Sequence, residues 1–345
     1  MKGRVLVLDE IGGRQVAALM VDGQLEELAI DPADDMAIPG AICRAVADRP
    51  VKGQGGIFVK LPGGSGFLRQ ISGVAPGQRL LVQVTGPAEP GKAVPVSTRL
   101  LFKSRFAIVT PDAPGLNISR KIKDEDRRAE LSAMAEAGMA GADDRLGLIL
   151  RSGCLEAEDQ AIAEDIAAMR GLAEAVLADI SGPPELLVDG PSAHDLAFRD
   201  WLDPPVDDAD TDPGSFDREG VTEALEALRG PRVALEAGGH MMIEPTRALV
   251  AVDVNTGADT SPAASLKANI AAARDLPRQL RLRGLGGQVV VDFAPMPKRD
   301  RHILDQVMKA TFKTEGETNL AGWTTLGLYE LTRKRDRLPL AGLLP

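Results

Sequence analysis

The chain is poor in soft metal ligands: 345 residues contain two cysteines, Cys43 and Cys154, and three histidines, His194, His240 and His302. The cysteines lie far apart and neither belongs to a Cys-x-x-Cys pair, which excludes an in-chain zinc knuckle and fits a reducing compartment. The histidines show no metal-ligand spacing, so zinc is not expected. No apolar run is long enough to span a bilayer, and the opening residues Met1 to Asp9 lack the uncharged segment of a signal peptide; the expected location is the cytoplasm. A Gly-rich phosphate loop ending in Lys-Ser/Thr is missing, as is a Gly-x-Ser-x-Gly elbow, which disfavours nucleoside triphosphate hydrolysis and serine-hydrolase chemistry.

Hydrophobic residues make up 44% of the chain, enough for a large core divided over two or more domains. A net charge of −10 argues, taken alone, against a nucleic-acid partner. The distribution weakens that objection, because residues 265–345 carry 14 Lys/Arg against 8 Asp/Glu and the acidic excess lies upstream. Three basic clusters stand there: Arg274, Arg278, Arg281 and Arg283; Lys298, Arg299 and Arg301; Arg333, Lys334, Arg335 and Arg337. Each alone reads as a solvated helix face. Together they point to a polyanionic substrate.

Three short strand-like runs, Arg4 to Leu8, Gln15 to Val21 and Leu25 to Ile30, are separated by Gly-Gly and Asp-Gly turns and predict a meander. Short β-runs at 56–61, 66–68, 78–84 and 100–109 predict a small barrel. Phe58 and Phe67 lie on adjacent strands of it, where two phenylalanines either fill the core or stack bases. Helical periodicity over 121–137 and 156–180, with an apolar strand at 146–151, predicts an α/β unit. A helix is expected from Ala193, an exposed acidic loop from Asp203 to Ser215, a helix over 217–228 and a strand over 232–235. His240, in Gly238-Gly239-His240, lies one strand before the region of most interest and could face it, but a turn histidine is the preferred reading.

That region contains Ala248-Leu249-Val250-Ala251-Val252-Asp253-Val254-Asn255 and Gln288-Val289-Val290-Val291-Asp292-Phe293. Apolar runs without alternation predict strands covered on both faces, each ending in a carboxylate where an α/β sheet opens to ligands. Residues 263–284 carry helical spacing, so the segment reads strand, helix, parallel strand. Neighbouring strands would bring Asp253 and Asp292 together. Magnesium prefers oxygen ligands and takes one or two protein carboxylates when phosphate completes its shell, so the pair suits activation of water for attack on a phosphodiester. Asn255 points to the same side of the strand as Asp253, and its amide could hold Asp292 or the attacking water.

These residues carry a resemblance. Glu244 to Gly257, Arg278 to Gly287, Val289 to Phe293 and Leu326 to Arg335 resemble the catalytic segment of the bacterial ribonuclease E/G family, with weaker similarity over nearly the whole chain. The resemblance implies a multi-subdomain α/β protein. A ribonuclease H-like subdomain would be split between residues 1–36 and a shortened 182–238, with an OB-fold RNA-binding insert over 37–105. A 5′-end sensor would follow over 106–181, and a deoxyribonuclease I-like catalytic subdomain over 239–345. It implies that Asp253 and Asp292 bind Mg2+ and that Asn255 assists at the scissile phosphate; the sequence does not decide whether Mn2+ can replace Mg2+. It further implies that Phe58, Phe67 and Lys92 contact single-stranded RNA, and that Arg120, Lys121, Arg151 and Ser152 hold a 5′-monophosphate.

The expected activity is endoribonuclease cleavage leaving 5′-phosphate and 3′-hydroxyl ends, in RNA processing or decay. The alternative is an RNA-binding or scaffold protein with little turnover. Larger members share zinc between subunits through a Cys-x-x-Cys that this sequence lacks, so a zinc-linked dimer is not expected. They also carry an arginine where Thr325 stands here, which weakens the expectation of 5′-end selectivity.

Overall fold

The computed structural model describes residues 3–33, 37–51, 55–69, 73–89, 91–236 and 238–344. Residue 36, where the first expected segment ends, and Pro90, beside Lys92, lie outside the described residues. Two compact units divide the chain, one of Gly3–Leu19 and Ala29–Thr211, the other of Met20–Leu28 and residues from Asp212 onward.

β1 (Arg4–Ile11), β2 (Arg14–Val21) and β3 (Gln24–Ile30) form the expected meander. β4 (Ile42–Val51), β5 (Gly56–Leu61), β6 (Gly64–Leu68), β7 (Arg79–Val84) and β8 (Val94–Ser97) follow in the order β4-β5-β6-β8-β7, and β7 pairs back onto β4 to close a five-stranded barrel. Ala45, Ile57, Val59, Leu68, Val82 and Val96 fill the interior.

The run at 100–109 is not a barrel strand. β9 (Phe102–Lys103) and β10 (Ala107–Pro111) are two strands of a separate sheet, folded back on each other at Ser104–Phe106. The carboxylate of Asp165 holds that corner by accepting from the N–H groups of Phe106 (2.9 Å) and Ala107 (3.1 Å). β11 (Gly115–Ile118), α1 (Glu125–Gly138), β12 (Leu146–Leu150) and α2 (Asp159–Ala178) complete the α/β unit. Asp124 caps α1 by accepting from the Arg127 N–H at 2.7 Å.

β13 (Glu185–Val188) adds to the outside of β4, and α3 (Ala193–Asp200) begins with a capping box of Ser192 and Asp195. The acidic stretch is not wholly a loop, because β14 (Asp208–Asp210) pairs in parallel with β1. Beyond it, the helix expected over 217–228 is two, α4 (Ser215–Arg218) and α5 (Val221–Arg229), parted at Gly220, whose φ of 74° cannot continue a right-handed helix.

The second unit is built on β15 (Arg232–Ala234), β16 (His240–Pro245), β17 (Val250–Asn255), α6 (Pro262–Leu282), β18 (Gly287–Asp292), α7 (Arg301–Thr311), β19 (Thr318–Trp323) and β20 (Tyr329–Arg333). Its six strands run in the order β15-β16-β17-β18-β20-β19. Ser261 caps α6 and Pro262 sits in its first turn, where a missing N–H costs nothing. The helices bury Ala268, Ala272, Leu276, Leu280, Leu304 and Met308 against Val252, Val254, Val289, Val291 and Leu331. Each fully buried Leu or Val of this kind contributes ~1.5–3 kcal/mol.

Here the expectation of two covered faces is corrected. Burial alternates along β17 and β18, so that Val252, Val254, Val289 and Val291 are buried while Asp253 and Asp292 are exposed. The alternation is masked in the sequence because Ala251 and Val290, on the open face, are themselves apolar.

Most of the basic residues turn out to be structural. Arg281 pairs with Glu26, Glu27 and Glu315, Arg278 bonds the Leu25 carbonyl at 2.9 Å, and Arg337 pairs with Glu27 at 2.8 Å. These contacts fasten the hairpin end Met20–Leu28 to the second unit. Arg283 is buried and donates to the carbonyls of Leu228 and Gly230, and Arg333 is buried and donates to that of Leu285. The first and third clusters are therefore largely committed, whereas Arg299 in the second stays 85% exposed.

Asn269, 0% exposed, donates its amide to the Ala294 carbonyl and accepts from the Ala294 N–H, both at 2.9 Å, fixing the chain two residues beyond Asp292. Asn269→Ala leaves both backbone groups buried without partners and should destabilise the fold by about 2–3 kcal/mol. An unchanged urea midpoint would contradict this.

Candidate active site and nucleic-acid interface

β17 and β18 are parallel neighbours in register, and Asp253 and Asp292 are direct partners across the ladder. Partners on adjacent strands project from the same face about 4.8 Å apart, so the two carboxylates stand side by side on the open face. Asn255, two residues on from Asp253, donates its amide N–H to the carboxylate of Asp253 at 2.8 Å rather than to Asp292 as expected, because the two side chains follow each other on one face of the same strand. This leaves the second Asp253 oxygen and both Asp292 oxygens without a protein hydrogen bond among the described residues. Among those residues no third Asp, Glu, His or Cys joins the pair in a metal-binding group. Two carboxylates without nitrogen or sulfur suit a hard divalent cation that retains most of its water or phosphate ligands.

His240 is not a turn residue. It opens β16 and is the direct antiparallel partner of Asn255, which corrects the sequence expectation. Gly238 and Gly239 make the turn, with φ of 81° and 86°. A Cβ on Gly239 would lie 2.2 Å from the Asn255 carbonyl oxygen, so only glycine permits this approach.

An aromatic group backs the pair. Phe293, next to Asp292, packs against Trp323 and Tyr329 with centroids 5.8 and 6.2 Å away, and the Arg301 guanidinium lies 4.5 Å from the Trp323 centroid. Trp323 donates its indole N–H to Asp305 at 3.0 Å.

On the barrel, Phe58 and Phe67 are cross-strand partners with ring centroids 5.3 Å apart. Both are half-buried, whereas their neighbours Ile57, Val59 and Leu68 are buried inside, so the rings lie on the outer face. The Arg49 guanidinium sits 5.3 Å from the Phe58 centroid. This leaves an aromatic and cationic surface rather than a core filling. Gly56 lets Phe67 lie against the backbone, since a Cβ there would stand 2.5 Å from the ring. Lys92 is exposed and pairs with Glu89 at 2.7 Å.

Lys121, Arg151 and Ser152 line one pocket with Arg105, Asp200 and Asp203, but Arg120 is not among its lining residues. Arg151 is engaged there through both terminal nitrogens. It donates to Asp200 and the Ser104 carbonyl, both at 2.6 Å, and to the Arg199 carbonyl at 3.0 Å. The Ser152 hydroxyl donates to Asp203. Ion pairing with Arg199 and Arg151 outweighs the cost of burial and holds the Asp200 carboxyl below its usual value. These two acids were not anticipated, because no local pattern ties residues 200–203 to residues 151–152.

Two carboxylates stand in register on an open β-sheet face, and a closed five-stranded barrel bears an aromatic surface, an arrangement of the α/β class with an OB-like barrel. The Ribonuclease E/G family profile matches residues 102–215 and 209–336, and the chain belongs to that family. Ribonuclease E of Nostoc sp. (strain PCC 7120) is 30% identical over 384 residues, covering 93% of this chain and 54% of that protein. Ribonuclease G of Haemophilus influenzae is 28% identical over 309 residues, covering 79% and 62%, and that of Escherichia coli K12 is 27% identical over 305 residues, covering 76% and 61%. The chain thus spans between half and two thirds of the length of these relatives. Among the described residues no helix is long and apolar enough to cross a membrane.

Tyr329 is the single tyrosine of the chain, 1% exposed, and burial followed by the nearby Asp305 charge pushes its phenol up to about 12. A raised folded value means that its contribution to stability is intact below pH ~10, the unfolded value, and is lost as pH rises through about 12. Ultraviolet titration of the folded protein should therefore show phenolate forming well above pH 10. Ionisation at the free-tyrosine value would mean that the aromatic group is open to water.

Proposed function

We propose that this chain is an endoribonuclease that cleaves single-stranded RNA with Mg2+, or Mn2+ in its place, leaving 5′-phosphate and 3′-hydroxyl ends. The observation that carries the reading is the direct pairing of Asp253 with Asp292 across parallel strands. Membership of a family whose relatives are named Ribonuclease E and Ribonuclease G supports RNA as the substrate class.

Asp253 and Asp292 would hold the ion, since both are exposed oxygen donors on one face. When bound, the ion supplies acidification of the attacking water and neutralises charge gathering on the phosphate. Asn255 fixes the rotation of the Asp253 carboxylate through its 2.8 Å hydrogen bond, so that one oxygen is reserved for the ion. Phe58 and Phe67 serve as a stacking surface for unpaired bases, which is sequence-tolerant because every base has a π-face. Arg49, over Phe58, adds a cation beside that surface, and Lys92 becomes a phosphate contact on leaving Glu89.

The pocket of Lys121, Arg151 and Ser152 is the candidate seat of a 5′-phosphate. A phosphate entering it must displace Asp203 from Ser152 and compete with Asp200 for Arg151. We therefore read selectivity for monophosphorylated ends as weak in this chain.

Matched RNA oligonucleotides bearing 5′-monophosphate or 5′-hydroxyl test both parts. The wild type should cleave the two at similar rates with Mg2+, while Asp253→Asn and Asp292→Asn should each lower the rate by about 10²-fold or more. Full activity in both variants would remove the proposed site. Strongly salt-dependent binding without cleavage by the wild type would mark an RNA-binding protein instead.

Phe58→Ala and Phe67→Ala should each weaken RNA binding by ~1–3 kcal/mol, the worth of one base stacked on an aromatic ring. Filter binding at fixed salt reads this. Unaltered affinity in both variants would return the two rings to a packing role.

A further inference from the structure

The three histidines differ sharply in their surroundings. The His194 Nε2 is tied to the carbonyls of Asp9 (3.2 Å) and Val16 (3.1 Å), and the His302 Nδ1 lies 2.5 Å from the Arg299 carbonyl. His240 makes no hydrogen bond or ion pair among the described residues, although its ring is only partly exposed. It is also the histidine that the sheet brings to the carboxylate pair.

Three adjacent strands set the arrangement. His240 on β16 is the direct partner of Asn255 on β17, and antiparallel partners share a face with Cβ atoms about 4.5–5.5 Å apart. Asn255 shares that face with Asp253, and Asp253 with Asp292 on β18. Across the open face the order is therefore Asp292, then Asp253 with Asn255, then His240. Asp292 and His240 thus stand on opposite flanks of β17, which itself carries Asp253 and Asn255. In an in-line displacement the attacking and leaving oxygens lie on opposite sides of phosphorus, so with the water held on the Asp292 side a group beyond β17 is on the side of the leaving oxygen.

Resting on the ribonuclease reading above, we propose that His240 is a further catalytic residue, the proton donor to the 3′-oxygen that leaves the scissile phosphate. The oxygen of the attacking water forms a bond to phosphorus and releases a proton to solvent. The bond from phosphorus to the 3′-oxygen breaks, its electron pair stays on that oxygen, and the imidazolium gives it a proton. The neutral imidazole then recovers a proton from solvent. The products are a 5′-phosphate and a 3′-hydroxyl. A ribose alkoxide is a poor leaving group, and a positioned proton donor accelerates such a step by about 10²–10⁴-fold. The Gly238-Gly239 turn serves this arrangement by allowing the chain entering β16 to press against Asn255.

The test compares ordinary RNA with RNA carrying one 3′-bridging sulfur at the cleavage site, whose thiolate leaves without a proton. His240→Ala should lower kcat on ordinary RNA by about 10²-fold or more, and His240→Gln, which donates a hydrogen bond but cannot surrender the proton, should not restore it. Both variants should cleave the sulfur-bridged RNA at the wild-type rate, and both should bind RNA with wild-type affinity in the absence of divalent ions. Equal loss on the two substrates, recovery in His240→Gln, or no loss on ordinary RNA would overturn the proposal. Asp253→Asn separates the two readings, because it should fail on both substrates whatever His240 does. Absence of cleavage by the wild type would overturn both readings together.

Discussion

The pairing of β17 with β18 is the constraint on which the second unit depends. Side chains alternate faces along a strand, so a slip of one residue in this ladder would swing Asp292 into the apolar layer and send Val291 out to water. The slip is opposed by the whole core, since Val289 and Val291 are packed against α6 and α7. Packing thus sets the register, and the register sets the spacing of the carboxylates. The hydrogen bond from Asn255 refines what the sheet has already imposed, and the Asn269 amide does the same for the chain leaving β18.

Much of this was legible in the sequence, for local reasons. The strand, helix, strand pattern around Asp253 and Asp292 depends on apolar spacing and on a Ser-Pro helix start, both of which are short-range signals. The convergence of the two aspartates followed once the strands were taken as parallel neighbours. The position of His240 did not follow, because Gly-Gly-His reads as a turn until the β15 and β16 pairing shows that the turn ends one residue earlier. The five-stranded barrel was visible in its glycines and short β-runs, but its outer limit was misjudged. Residues 102–109 have the composition of a strand, and the corner that divides them is held by Asp165, about sixty residues away in sequence and invisible to any local pattern.

Charge was the least legible property. An excess of arginine in the last quarter of the chain suggested a surface for phosphates, yet most of those guanidinium groups are spent on carbonyl oxygens and buried carboxylates. Arginine offers five donors in a fixed fork and can serve as a structural rivet as readily as an anion contact. Composition does not separate the two uses; the partners do. The same ambiguity governs Arg151, whose fork is filled by Asp200 and two carbonyls.

The Arg281 contacts carry a consequence for how the molecule is made. Glu26 and the guanidinium that receives it are separated by 255 positions, so the acids of the hairpin stay uncovered until α6 is in place. Closure over so long an interval carries a large loop entropy. The second unit therefore draws on two stretches far apart in the chain, Met20–Leu28 and the residues from Asp212 onward.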